Sequence, residues 1–121
     1  MSNKEVVKEF FETNIFNNPA RAAEFLHPEL QLIWRSSTGR KELNFNETVE
    51  LMRLTSEGFH DSRIEITHLI EEGDMVASQF ILYVNTIENP DEELRIAHFQ
   101  NFYELKDNKL YRGWWLSQPV E

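Results

Sequence analysis

Histidine is the side chain best suited to move protons near neutral pH, and this chain of 121 residues has four: His27, His60, His68 and His98. No H-x-H or H-E-x-x-H spacing links them, so no metal motif is present. His60 precedes Asp61, but adjacency in sequence does not give the geometry of a proton-transfer dyad. The absence of cysteine removes thiol nucleophiles, disulfides and thiolate zinc sites together. Neither a glycine-rich phosphate loop nor a nucleophile elbow occurs, and no cofactor or metal is expected. The other residues able to do chemistry gather in one stretch. Residues 97–115, AHFQNFYELKDNKLYRGWW, hold two Phe, two Tyr and two Trp, with His98, Gln100 and Asn101 among them. Indole, phenol and amide groups set into apolar surroundings are what orients a small molecule in a pocket.

The stretch reads as a hairpin, with Asp107-Asn108 as its turn. Apolar residues fall on both sides of both strands. Either both faces are covered, or one lines a cavity.

Composition narrows the partners. A formal net charge of -9, with dispersed Lys and Arg, argues against nucleic acid and against an anionic membrane surface. No apolar run approaches the ~20 residues of a membrane-spanning helix. The N-terminal MSNKEVVKEFFE carries charges where a signal peptide needs an apolar segment, so a cytoplasmic protein is expected. The length suits one domain over 1–121.

The elements that must position these residues follow from periodicity. A Ser2-x-x-Glu5 capping box opens a helix through Val6, Val7, Phe10, Phe11 and Ile15, ending near Asn17-Asn18. Asn18-Pro19 starts a shorter helix through Leu26, closed by His27-Pro28-Glu29. LQLIW, 30–34, reads as a strand, and NETVELMRLTSEG as a third helix stopped by Gly58. Period two then takes over at Ile64, Ile66, His68 and Ile70, with a turn at 71–74 and a long strand from Met75. Helices followed by a strand meander indicate an α+β fold with the helices on one face of the sheet. The other face needs a cover, and a second copy of the sheet is the simplest.

VVKEFFETNIFNN, AAEFLHPELQLIW, EEGDMVASQFILYV and FYELKDNKLYRGWW, in that order and spacing, resemble a SnoaL-like (polyketide-cyclase-like) member of the nuclear-transport-factor-2-like superfamily. The resemblance spans nearly the whole chain. It implies a cystatin-like cone of three N-terminal helices packed on a strongly curved, mainly antiparallel sheet, with a pocket between them and a homodimer on the convex face.

Matched to the related ketosteroid-isomerase pattern, the pocket side takes Leu32 and Trp34 from the first strand. It takes Ala77, Gln79, Ile81 and Tyr83 from the long strand. From the hairpin it takes Phe99, Asn101, Tyr103, Gly113, Trp115 and Ser117. Of these, Trp34, Gln79, Tyr83, Phe99, Asn101, Tyr103 and Trp115 are the expected ligand contacts. The opposite parity assigns Phe80, Leu82, Val84 and Ile96 to the dimer face, together with His98, Phe102, Trp114 and Leu116.

The same match tests the chemistry. The isomerase base position falls on Trp34, the oxyanion acid on Asn101 and the tyrosine on Phe10, so none of the three groups that chemistry needs is present. His98, His60 and Tyr103 are left as candidates for a catalytic role. The expected function is binding of a small neutral or weakly polar organic molecule, with cyclase, isomerase or dehydratase-type activity open. The alternative is a non-catalytic dimerisation or protein-interaction module of the same fold.

Overall fold

The structure is a computed structural model that describes residues 1–120. Helix α1 spans Asn3–Glu12 and buries Val6, Val7, Phe10 and Phe11. Ser2 caps it as its sequence predicts, accepting from the Glu5 amide at 3.1 Å. It ends earlier than Asn17, because Asn14 adopts a left-handed φ of 59° just after the Thr13 cap. Ile15 and Phe16 are buried beyond the helix, held in a turn.

Helix α2 is one short turn, Pro19–Ala23. Leu26, expected within this helix, instead opens strand β1, Leu26–Ser36. Pro28 pushes His27 toward extended backbone, and Leu26 pairs with Leu110. Strand β2, Gly39–Asn44, has no counterpart in the sequence reading. Its residues are charged and mostly exposed, so no alternation marks it, and pairing with β1 alone makes it a strand. Helix α3, Phe45–Gly58, starts from a full capping box: Asn44 accepts from the Glu47 amide at 2.8 Å and Glu47 accepts from the Asn44 amide at 3.0 Å.

Strands β3, Asp61–Glu72, β4, Met75–Asn85, β5, Glu93–Lys106, and β6, Lys109–Pro119, complete the chain. The sheet order is β2-β1-β6-β5-β4-β3, antiparallel except for β1 with β6. The β5–β6 turn is the expected one: Asp107 and Asn108 have φ of 56° and 60°, the paired left-handed residues of a tight hairpin. The helices and the core they share with the sheet lie on one face, so the fold is α+β as expected. No helix among the described residues is long and apolar enough to cross a membrane.

The inner face, toward the helices, is buried at Leu30 and Leu32 of β1, at Phe99, Asn101, Tyr103 and Leu105 of β5, and at Gly113 and Trp115 of β6. These parities agree with the expected ones. On β4 the parity is reversed. Val76, Ser78, Phe80, Leu82 and Val84 are buried, while Ala77, Gln79, Ile81 and Tyr83 face outward. Phe80, Leu82 and Val84 are therefore core residues and not part of an outer surface. Gln79 and Tyr83 are not pocket residues: Gln79 accepts from Gln100 at 3.4 Å on the outer face, and Arg63 lies 4.1 Å from the Tyr83 ring centroid. The reason is that β4 is apolar on both faces, so its own pattern does not choose between them. Pairing decides it, since Phe80 sits opposite Phe99 and Val76 opposite Tyr103.

Two irregularities shift the pattern again. The pairing skips Thr67 on β3, which turns Ile70 outward (63% exposed) and brings Leu69 to the inner side. On β5 the pairing skips Ile96, which is half-buried and belongs to the inner cavity, not to the outer face expected for it.

Candidate ligand-binding site

A cavity of about 280 Å³ opens where the C-terminal half of α3 meets the ends of β1 and β6. Three aromatic rings form its sheet side. Trp34 stacks on Phe99 (centroids 6.3 Å apart, 25° between planes), and Trp115 stands edge-on to both, at 5.9 and 5.7 Å. Leu82, Ile96 and Ala97 extend this wall. Across from them, Leu51, Thr55 and Phe59 project from one stripe of α3 and the residue that ends it, spaced four apart as a helix face requires. The β1–β2 turn, Ser36 to Thr38, rims the mouth.

The polar side-chain groups of the wall are all hydroxyls and indoles. Trp34 donates its indole N–H to Ser117 Oγ at 2.9 Å, and Thr55 Oγ1 donates to the Leu51 carbonyl at 2.9 Å. Among the described residues no carboxylate, histidine, lysine, arginine or tyrosine lines the cavity. The site can hold an apolar ring by contact and stacking and meet a few polar atoms, and its wall offers no group to carry a proton.

Trp34, Phe99 and Trp115 thus all line this cavity. Asn101 and Tyr103 share their face but lie deeper, outside the lining. Tyr103 is fully buried against Phe10 and Phe11, and its oxygen accepts from the Trp115 indole at 2.6 Å, which fixes the ring of the cavity floor. Burial pushes the Tyr103 phenol far above the ordinary tyrosine range, partly offset by that bond. It is neutral at any working pH and has no route to the cavity as an acid. The raised value gives a pH prediction. Above about pH 10 the unfolded chain releases this proton and the folded one keeps it, so stability falls by about 1.4 kcal/mol per pH unit from this residue. In Tyr103→Phe that part of the alkaline slope should vanish from denaturant unfolding measured between neutral and strongly alkaline pH.

Asn101 is 1% exposed, and neither its amide nitrogen nor its oxygen has a protein partner; the hydroxyl of Ser78, opposite it across the β4–β5 pair, has none either. A buried polar group left unpaired costs about 1–3 kcal/mol. Asn101→Leu, close in volume, should therefore raise the unfolding free energy measured in urea by that order. A fall instead would mean that internal water completes the amide's bonds.

His60 and His98 are exposed and line nothing in the cavity. The residues that sequence reasoning missed are those of α3 and the rim. Leu51, Thr55 and Phe59 carry a signal, the four-residue spacing, but it reads equally as core.

No family model matches the sequence, and no curated protein matches it. Solved structures do. IdmH, a candidate polyketide cyclase from Streptomyces antibioticus, superposes with a TM-score of 0.77 at 14% identity, covering 97% of this chain and 92% of its own. TerC, co-crystallised with polyporic acid, gives 0.72 at 16% identity over 93% and 88%. An NTF2-like protein of unknown function from Burkholderia pseudomallei gives 0.71 at 15% identity over 95% and 90%. At such identities the likeness carries the architecture and not the activity. The chain has the nuclear-transport-factor-2-like fold.

Proposed function

We propose that the protein binds a small neutral or weakly polar organic molecule in the cavity between α3 and the sheet. The observation that carries this is the composition of the wall: a cluster of aromatic rings, aliphatic side chains and hydroxyls, with no charged side chain. Ionic ligands lose their hydration there without compensation, and apolar rings gain buried area and stacking. The fold is compatible with such a role, since TerC was crystallised with polyporic acid. A cyclase, isomerase or dehydratase step needs a proton carrier beside the ligand, and the wall supplies none, so binding without turnover is the reading we favour. The acidic, cysteine-free composition supports work in the cytoplasm, away from nucleic acid and membrane.

The test is direct binding of the tricyclic hydrocarbon fluorene by calorimetry. It should bind the wild type, and Ala97→Trp, which fills the cavity from the sheet wall, should abolish the heat. Undiminished binding to Ala97→Trp would place the ligand elsewhere.

For the partner we propose a second copy on the outer face. In its support, Ile33, Trp114, Phe102, Ala77 and Ile70 form one row across β1, β6, β5, β4 and β3. Phe102 and Leu116 are each 55% exposed, and His98 lies on the same side. An apolar row of this length on a sheet is characteristic of an association surface.

A further inference from the structure

Two hydroxyls on the inner walls of the cavity have opposite hydrogen-bonding capacity, fixed by bonds they already make. Thr55, on α3, spends its only proton on the Leu51 carbonyl at 2.9 Å. What remains is oxygen lone pairs, so toward a ligand Thr55 acts as an acceptor. Ser117, on β6, is the reverse. Its oxygen accepts the Trp34 indole N–H at 2.9 Å, and its own proton has no protein acceptor among the described residues. Accepting one bond polarises the hydroxyl and strengthens it as a donor. The other hydroxyls sit at the mouth and not on the inner walls: Ser36 and Thr38 bond each other at 2.9 Å across the β1–β2 turn, and Ser37 is exposed.

We propose that the cavity selects its ligand by hydrogen-bond polarity, with Ser117 donating from the sheet wall and Thr55 accepting from the helix wall. The ligand class is a neutral, mostly apolar ring system that carries a carbonyl-type acceptor on one side and a hydroxyl on the other. A ligand with the same outline but no polar groups leaves the Ser117 proton unpaired and binds less well. Trp34 is a positioning residue here: it does not need to touch the polar end of the ligand, and it aims the group that does. This inference rests on the reading of the cavity as a ligand site.

Four probes of one shape separate the two ideas: fluorene, fluorenone, hydroxyfluorene and hydroxyfluorenone, titrated by calorimetry into the whole chain. Wild type should bind hydroxyfluorenone best. Ser117→Ala should weaken the two ketones about fivefold and leave fluorene and hydroxyfluorene within about twofold. Thr55→Val, nearly isosteric, should weaken the two hydroxyl probes by a similar factor and spare fluorenone. Thr55→Ser should restore the wild-type order. Thr55→Val reads the helix wall on its own if Ser117→Ala does not fold, as a melting curve will show. Fluorene bound with no discrimination among the four, or a loss equal for all four in both variants, overturns the polarity and leaves the cavity reading standing. No binding of any probe to the wild type overturns both.

Discussion

Phe80→Ala should cost about 3–5 kcal/mol of folding stability, and Ile81→Ala, one residue along the same strand, about 1 kcal/mol. Phe80 is fully buried, stacked on Phe99 with ring centroids 4.6 Å apart and 11° between planes, and 4.9 Å from the Phe11 ring. Truncation removes the ring from the junction of α1, β4 and β5 and leaves a void that the surrounding rings fill only in part. Ile81 faces outward and is half-buried, so its truncation opens no enclosed void. Urea unfolding of both variants, at a concentration low enough to separate folding from association, measures the difference. Equal costs, or the reverse order, would show that β4 presents its other face to the helices and would undo the cavity wall built on Leu82.

Trp114→Glu should turn a dimer into a monomer while leaving the fold intact. Trp114 stands second in the outer apolar row, between Ile33 of β1 and Phe102 of β5. A truncated aromatic hot spot costs upward of about 2 kcal/mol of association, and an unpaired carboxylate buried in its place adds several more. Together these weaken self-association by more than about a thousandfold. Sedimentation velocity across a concentration series reads the outcome directly. A wild type that sediments as a monomer throughout would remove the second copy from the outer face, whatever the variant does.

The two tryptophans at 114 and 115 show how far the sequence was legible. Alternation alone puts them on opposite faces, and the structure has Trp115 in the cavity floor and Trp114 in the outer row. The hairpin turn and the α1 cap were equally readable, because each depends on a few adjacent residues with one physical solution. Strand β4 was not, since Val76, Phe80, Leu82 and Val84 on one face are matched by Ala77, Ile81 and Tyr83 on the other. Only long-range pairing with β5 resolves that choice. Thr67 and Ile96 were hidden for a related reason: an extra residue in a ladder leaves no mark in the chain that contains it. Strand β2 was invisible because its residues GRKELN have no buried stripe to reveal it. The polarity of the site was beyond sequence altogether. Which bonds a serine or threonine hydroxyl has left depends on the Trp34 indole, 83 residues from Ser117 along the chain, and on the Leu51 carbonyl, one turn from Thr55.

The three tryptophans also provide the most direct test of the binding site. Their indole N–H groups give three separate signals in a nitrogen–proton correlation spectrum, two on the cavity wall and one outside it. On titration with fluorene, the Trp34 and Trp115 indole signals should shift together and saturably while the Trp114 signal stays in place. Movement of Trp114 alone, or no movement of Trp34 and Trp115 at saturating fluorene, would contradict a ligand site between α3 and the sheet.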